Sequence, residues 1–149
     1  MEDIFNKDDN KAIIGRLSKL TPDSQPLWGK MTVSQMLAHC QKPIDVLTGK
    51  LSLKGGLLGF LFGKMAKNNF LKMRGFGKNS PTHPKFRIGG EPDFEKEKSL
   101  LITMVETLGN LGAESVAIDK HPFFGPMTSE EWGSLMYLHL DHHLKQFGV

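Results

Sequence analysis

Apolar residues recur at helical spacing in four stretches of the chain, and strand-like alternation is almost absent. The first stretch runs from about Asp8 or Asn10 to Leu20 and places Ile13, Ile14, Leu17 and Leu20 on one side. Thr21-Pro22 stops it. A loop from Pro22 to Met31 follows, with Pro26 and Trp28 in it. The second stretch repeats at Val33, Met36, Leu37, Cys40, Ile44 and Leu47. It opens on Thr32-Val33-Ser34-Gln35, a capping box in which the threonine side chain caps the helix and Gln35 reaches back. Pro43 lies inside this pattern and predicts a kink, because it has no N–H to give to the carbonyl of His39.

The third stretch starts near Pro92-Asp93 and runs to about Leu111, with acidic residues in its first turn, where the helix dipole favours them. Phe94, Leu101, Met104, Val105 and Leu108 are its core positions, and Gly109, Asn110 and Gly112 end it. The fourth opens at a second capping box, Thr128-Ser129-Glu130-Glu131, after the irregular run His121-Pro122-Phe123-Phe124-Gly125-Pro126. Ser115 to Ile118 is the one short strand candidate. Between the second and third stretches lies an insert, Gly49 to Gly90, rich in Gly, Lys, Leu and Phe. Part of it, around Leu57 to Phe70, reads as a short helix, and Gly75 to Pro84 reads as loop, broken at Ser80-Pro81 and His83-Pro84. The pattern predicts an all-α fold: an antiparallel four-helix bundle with a long basic, Gly-rich crossover between helices two and three.

Length and composition change this picture little. A chain of 149 residues is most simply one domain, residues 1–149, long enough to bury a core. Its 39% hydrophobic and 23% charged residues place it with ordinary globular proteins rather than disordered or fibrous ones. Cys40 is the single cysteine, so an internal disulfide framework is excluded and a reducing, cytoplasmic location is expected. Met1-Glu2-Asp3-Ile4-Phe5 lacks the basic start and apolar core of a signal peptide, and no apolar run reaches the length of a membrane span.

Charge is unevenly distributed. The net charge is +3, yet Val46 to Gly90 contains no Asp or Glu. That stretch carries nine basic residues: Lys50, Lys54, Lys64, Lys67, Lys72, Arg74, Lys78, Lys85 and Arg87. Ten basic and sixteen acidic residues remain elsewhere. Such segregation fits contact with something anionic, and equally fits packing of the basic segment against the acidic remainder of its own chain.

The chemistry concentrates in the last helix. His139 and His143 stand four residues apart, which puts two imidazoles on one helix face, one turn apart. At about 100° per residue, Trp132, Met136, His139, His143 and Phe147 fall within about 80° of one another, so both histidines lie on the face predicted to be buried. Asp141 points roughly the other way. Two adjacent buried imidazoles need partners, and one metal ion or separate carboxylates and carbonyls would both serve. Leu140 follows His139 where a zinc protease has glutamate, which argues against that mechanism. By periodicity alone His39 sits only at the edge of the apolar stripe of its helix.

The run from His139 to Phe147, with its H-x-x-x-H followed by x-x-Gln, resembles the C-terminal helix of the DinB-like (DinB/YfiT-type) metalloenzyme superfamily. Met31 to His39 resembles the second helix of that superfamily, which supplies a third histidine, and Trp28 suits its lead-in. His121 to Thr128 with Glu131-Trp132 fits the approach to the last helix in an uncharacterised branch. The resemblance covers the chain in order of elements. It implies a four-helix bundle with a mononuclear divalent metal held by His39, His139 and His143, with catalytic residues beyond the metal unassigned.

Three neutral imidazoles leave coordination positions open, as in catalytic sites, and nitrogen ligands suit zinc, nickel or iron. Similar proteins include transferases and isomerases that use a low-molecular-weight thiol, such as bacillithiol or mycothiol, with the metal making the thiol a nucleophile. The resemblance therefore implies a metal-dependent, transferase-like enzyme acting on a small molecule. The alternative is a non-catalytic membrane-surface or partner-binding helical bundle that uses the basic segment 50–87.

Other residues carry weaker expectations. His142 lies off the central stripe and reads as a surface or boundary residue rather than a ligand. His83 and His121 each precede proline in loops and read first as structural, with an acid–base role the alternative. Cys40 reads as a buried, inert thiol. Trp28, Trp132 and Tyr137 read as packing residues, with Tyr137 also a candidate pocket residue. The basic insert is expected to act as a lid over an anionic small molecule. Nucleic acid is not expected, for lack of a recognition module, and a homodimer is left open.

Overall fold

The computed structural model describes residues 1–149 except Gly55, Gly56 and Arg74; the side chains of residues 57–62, 71 and 73 also fall outside the description. The basic residue Arg74 therefore lies outside the described residues, as do Gly55, Gly56 and the side chains of 57–62 in the Gly- and Leu-rich run of the insert. Among the described residues there are five α-helices: α1 (Lys7–Ser18), α2 (Val33–Leu47), α3 (Leu57–Met73), α4 (Phe94–Leu111) and α5 (Ser129–Gln146). Two residue pairs, β1 (Lys120–His121) and β2 (Gly125–Pro126), form a small antiparallel hairpin. The chain is thus mostly helical.

Local chemistry sets the helix starts. Both predicted capping boxes are present, Thr32 with Gln35 and Thr128 with Glu131. The Asn6 side chain accepts from the backbone of Asp8 and Asp9, and Asp93 accepts from that of Lys96. Each such cap satisfies N–H groups that the first turn leaves unpaired, worth about 1 kcal/mol. Helix α1 ends at Ser18, short of the expected Leu20, and Leu20 is buried just beyond it. Helix α2 continues through Pro43 to Leu47.

One expectation fails. Ser115 to Ile118 is not a strand; Gly112–Ser115 is a 3₁₀ turn, and among the described residues strand pairing is found only between β1 and β2. Ala117 instead donates its backbone N–H to the Leu47 carbonyl at 2.9 Å, so this segment closes the end of α2.

Helices α1 and α2 each pack against both α4 and α5. The shared core holds Ile13 and Leu17 from α1, Met36 and Leu37 from α2, Leu101 and Val105 from α4, and Trp132 and Met136 from α5. Burying each of these is worth roughly 1.5–3 kcal/mol. Asn10 is buried among them and its amide donates to the carbonyls of Ile4 and Val105 at 2.9 and 2.8 Å, joining α1 to α4. Arg16 bridges Asp141 at 2.8 Å, joining α1 to α5 on the side away from the histidines.

Helix α5 is buried around most of its circumference, because Leu135, Leu138, Leu140 and Leu144 are enclosed as well as the histidine face. Helix α3 lies against β2. Gly63 makes that approach: a Cβ there would run into the Phe123 carbonyl. Lys67 completes it by reaching the Pro126 carbonyl at 2.9 Å and the Glu131 carboxylate at 2.8 Å. Among the described residues, no helix is long and apolar enough to cross a membrane.

Candidate metal centre and its cavity

Two helices bring three imidazoles together. His39 from α2 and His139 and His143 from α5 each offer a ring nitrogen, and these atoms lie within 4.8 Å of one another. The Nε2 atoms of His39 and His139 are 3.2 Å apart. Two nitrogens on one tetrahedral zinc, each about 2.0–2.1 Å from it, stand about 3.3 Å apart. The cluster therefore fits a single ion. Among the described residues it is the one His, Cys, Asp or Glu group with that capacity.

The outward ring atoms decide which nitrogens are free. His39 Nδ1 lies 2.9 Å from the Phe86 carbonyl oxygen, which can only accept, so Nδ1 carries the proton and Nε2 presents a lone pair. For His143 the same conclusion comes through a relay. The Trp28 carbonyl accepts from the Gln146 amide nitrogen at 2.7 Å. That turns the Gln146 oxygen toward His143 Nδ1, 2.8 Å away, and His143 must donate to it. Its Nε2 is then also unprotonated. Outer partners of this kind orient metal-ligating imidazoles and set their tautomer.

Gly29 allows the relay. Its φ is +82°, and a Cβ there would stand 2.6 Å from the Gln146 amide nitrogen. A backbone hydrogen bond of 2.7 Å from Leu27 to the Gln146 carbonyl holds the same loop against the end of α5.

Electrostatics keep the rings neutral. Burial lowers the His39 pKa, and the Phe86 hydrogen bond only partly offsets this. Burial, then the neighbouring His143 and His39, hold His139 well below the usual histidine range. Burial and the His39 ring push His143 down to about 3. Neutral imidazole is the ligating form. His39 and His143 are buried, whereas His139 stays partly open.

That opening is a cavity of about 800 Å³. All six histidines of the chain line it: the three above together with His83, His121 and His142. Phe76, Phe86, Phe123, Phe124, Leu135 and Met136 supply an apolar wall, and Lys30 and Arg87 supply cations. No Asp or Glu is found among the described residues that line it. Rings connect the outer wall to the floor. Phe124 stacks on Phe70, Phe70 packs on Phe76, and Phe76 meets His139 edge-on, with centroids 5.9, 4.6 and 5.7 Å apart.

The outer histidines are held differently. His121 accepts at Nδ1 from the backbone N–H groups of Phe123 and Phe124, both at 3.1 Å, and its ring lies 5.1 Å from that of Trp132. Burial lowers its pKa to about 4. His83 accepts at Nδ1 from the backbone of Lys85 at 3.1 Å and caps the 3₁₀ turn Pro84–Phe86. His142 is half-buried against Trp28 and Phe76; burial lowers its pKa and Asp141 opposes that.

The three expected ligand residues thus come together. Cys40 does not join them: it is fully enclosed, its thiol contacts Met36 Sδ at 3.6 Å, and burial pushes its pKa up. Tyr137 lies outside the cavity wall, and Trp132 is core. His83, His121 and His142, which sequence reasoning set apart from the ligands, all reach the cavity. Sequence reasoning missed the Phe86 carbonyl, the relay through Gln146, and Phe76. Gln146 had a usable signal, since it follows His143 by three residues on the same helix face; a backbone carbonyl from a loop had none.

Fold and site together define a mostly helical protein with a histidine triad compatible with a metal site. Residues 5–148 match the family described as a protein of unknown function (DUF1569), and the chain belongs to that family. No curated protein and no solved structure matches the chain.

Proposed function

We propose that this protein is a metal-dependent enzyme of the DinB-like kind: an antiparallel four-helix bundle whose mononuclear divalent ion is held by His39, His139 and His143. The observation that carries the reading is the convergence of three imidazole nitrogens within 4.8 Å, with two rings locked so that their Nε2 atoms are unprotonated. The contacts of α1 and α2 with both α4 and α5 support the bundle. A bound zinc, nickel or iron ion would supply Lewis acidity and make a thiol or water more acidic.

The chain's own residues would do the rest. Phe86 and Gln146 hold the ligand tautomers, and the aromatic wall keeps water from the floor of the cavity. Segment 76–88 walls the cavity, which favours the insert as a lid over a small molecule rather than a membrane-facing surface. A low-molecular-weight thiol as cosubstrate in an S-transfer or isomerisation suits this arrangement. The reading is tested by metal analysis of protein purified without chelator. About one divalent ion per chain is expected, together with a gain in melting temperature on metal addition. Protein with no metal and no such gain would overturn it.

A further inference from the structure

Both outer histidines that cap turns occur in His-Pro dipeptides, His83-Pro84 and His121-Pro122. Both use Nδ1 to accept from the backbone just beyond the proline. A neutral ring whose Nδ1 accepts must carry its proton on Nε2. Of the two, His121 is the more enclosed. The residue lines the cavity and its turn contacts use Nδ1, which leaves Nε2 as the polar ring atom it can offer to a ligand there.

Around it the cavity is short of negative charge. Lys30 and Arg87 stand in the wall, and Asp and Glu are missing from it among the described residues. If the triad holds a divalent ion, three neutral imidazoles leave its two positive charges uncompensated, and a low-dielectric apolar wall strengthens their demand for an anion.

We propose that His121 is a fixed Nε2–H donor that positions the ligand, and that with Arg87 and Lys30 it selects an anion with an apolar body, such as a carboxylate carrying an aromatic or alkyl group. The ligand class rests on the proposed metal-dependent reading; the donor role of His121 rests on the hairpin geometry alone. The anionic head takes the N–H and the cations, and the body lies against Phe76, Phe123 and Phe124. His121 is here a positioning residue.

The test is calorimetric binding of 3-phenylpropionate and of its uncharged counterpart 3-phenylpropanol to metal-free and zinc-loaded protein. The carboxylate should bind at least about tenfold more tightly than the alcohol in both forms, and more tightly still with zinc, as expected for a hydrogen bond to a charged group. Two substitutions separate the donor role from turn capping. His121→Asn keeps an uncharged acceptor for the Phe123 and Phe124 N–H groups but is too short to place a donor where Nε2 stands; His121→Gln reaches that position with an N–H donor but gives up the short cap.

H121N should weaken carboxylate binding by about tenfold or more, and H121Q by no more than about threefold, with both proteins melting cooperatively. Arg87→Gln should weaken binding and flatten its salt dependence. Equal affinity for the alcohol, or equal affinity of H121N and wild type, would overturn the proposal. The metal-free arm keeps it distinct from the metal reading. Selective carboxylate binding by protein that takes up no zinc would leave His121 in its role while removing the ion.

Discussion

The floor and the outer wall of the cavity use the same side chain in opposite ways. On the floor, His39 and His143 project from helices and donate from Nδ1, to the Phe86 carbonyl and the Gln146 amide, so Nε2 is a lone pair. In the wall, His83 and His121 sit in His-Pro turns and accept at Nδ1 from the backbone, so Nε2 carries the proton. One arrangement suits a cation and the other an anion. An imidazole's role is therefore read from the atom behind it rather than from its position in a motif.

The largest expected effect comes from removing a floor ligand. His143→Ala should lower bound metal from about one ion per chain to nearly none and abolish the metal-dependent rise in melting temperature. Elemental analysis after desalting reads the first, and differential scanning fluorimetry the second. Retained stoichiometry would place the ion elsewhere.

Breaking the relay should do less. Gln146→Leu leaves the Trp28 carbonyl and the His143 N–H without their partners and frees His143 to change tautomer. Metal affinity, measured by chelator competition, should fall about 10–100-fold, while the triad itself is intact. Affinity equal to wild type would show that the ring is held by its helix alone.

The wall gives a pH signature. His121 has a folded pKa of about 4 against an ordinary 6.5, chiefly because it is buried. Between these values the unfolded chain binds the proton and the folded one does not. The neutral ring's contribution is thus fully present above pH 6.5 and is lost as pH falls to 4. The difference amounts to about 3 kcal/mol. Urea unfolding of metal-free wild type and His121→Asn across this range should show the variant losing less stability on acidification. Parallel curves would mean the ring titrates normally.

The smallest effect should come from the far side of α5. Asp141→Asn weakens the contact with Arg16 and should cost about 1 kcal/mol, read as a lower urea midpoint. Metal binding should be unchanged, because Asp141 faces α1 rather than the triad. A loss of metal would extend the site beyond the floor.

Much of this was legible in the sequence where the interactions are local. The capping boxes at Thr32 and Thr128 placed the starts of α2 and α5 within a residue, because a cap needs only side chains three positions apart. Spacing put His139 and His143 on one face. His39 was different: periodicity left it at the edge of a stripe, and a family resemblance named it as the third ligand. The small hairpin at Lys120–Pro126 was missed and a strand expected upstream of it, since two-residue strands carry no alternation to detect.

By itself, then, the sequence determined the four helical stretches predicted outright, two of their caps and the pairing of two histidines, all consequences of contacts within about one helical turn. Tertiary structure decided the rest. Only packing brings His39 beside His139 across a hundred residues of chain. Only the return of the insert sets the Phe86 carbonyl behind His39 and Phe76 against His139. Which nitrogen of each ring is free depends on a partner that the chain delivers from elsewhere, and no local pattern encodes that partner.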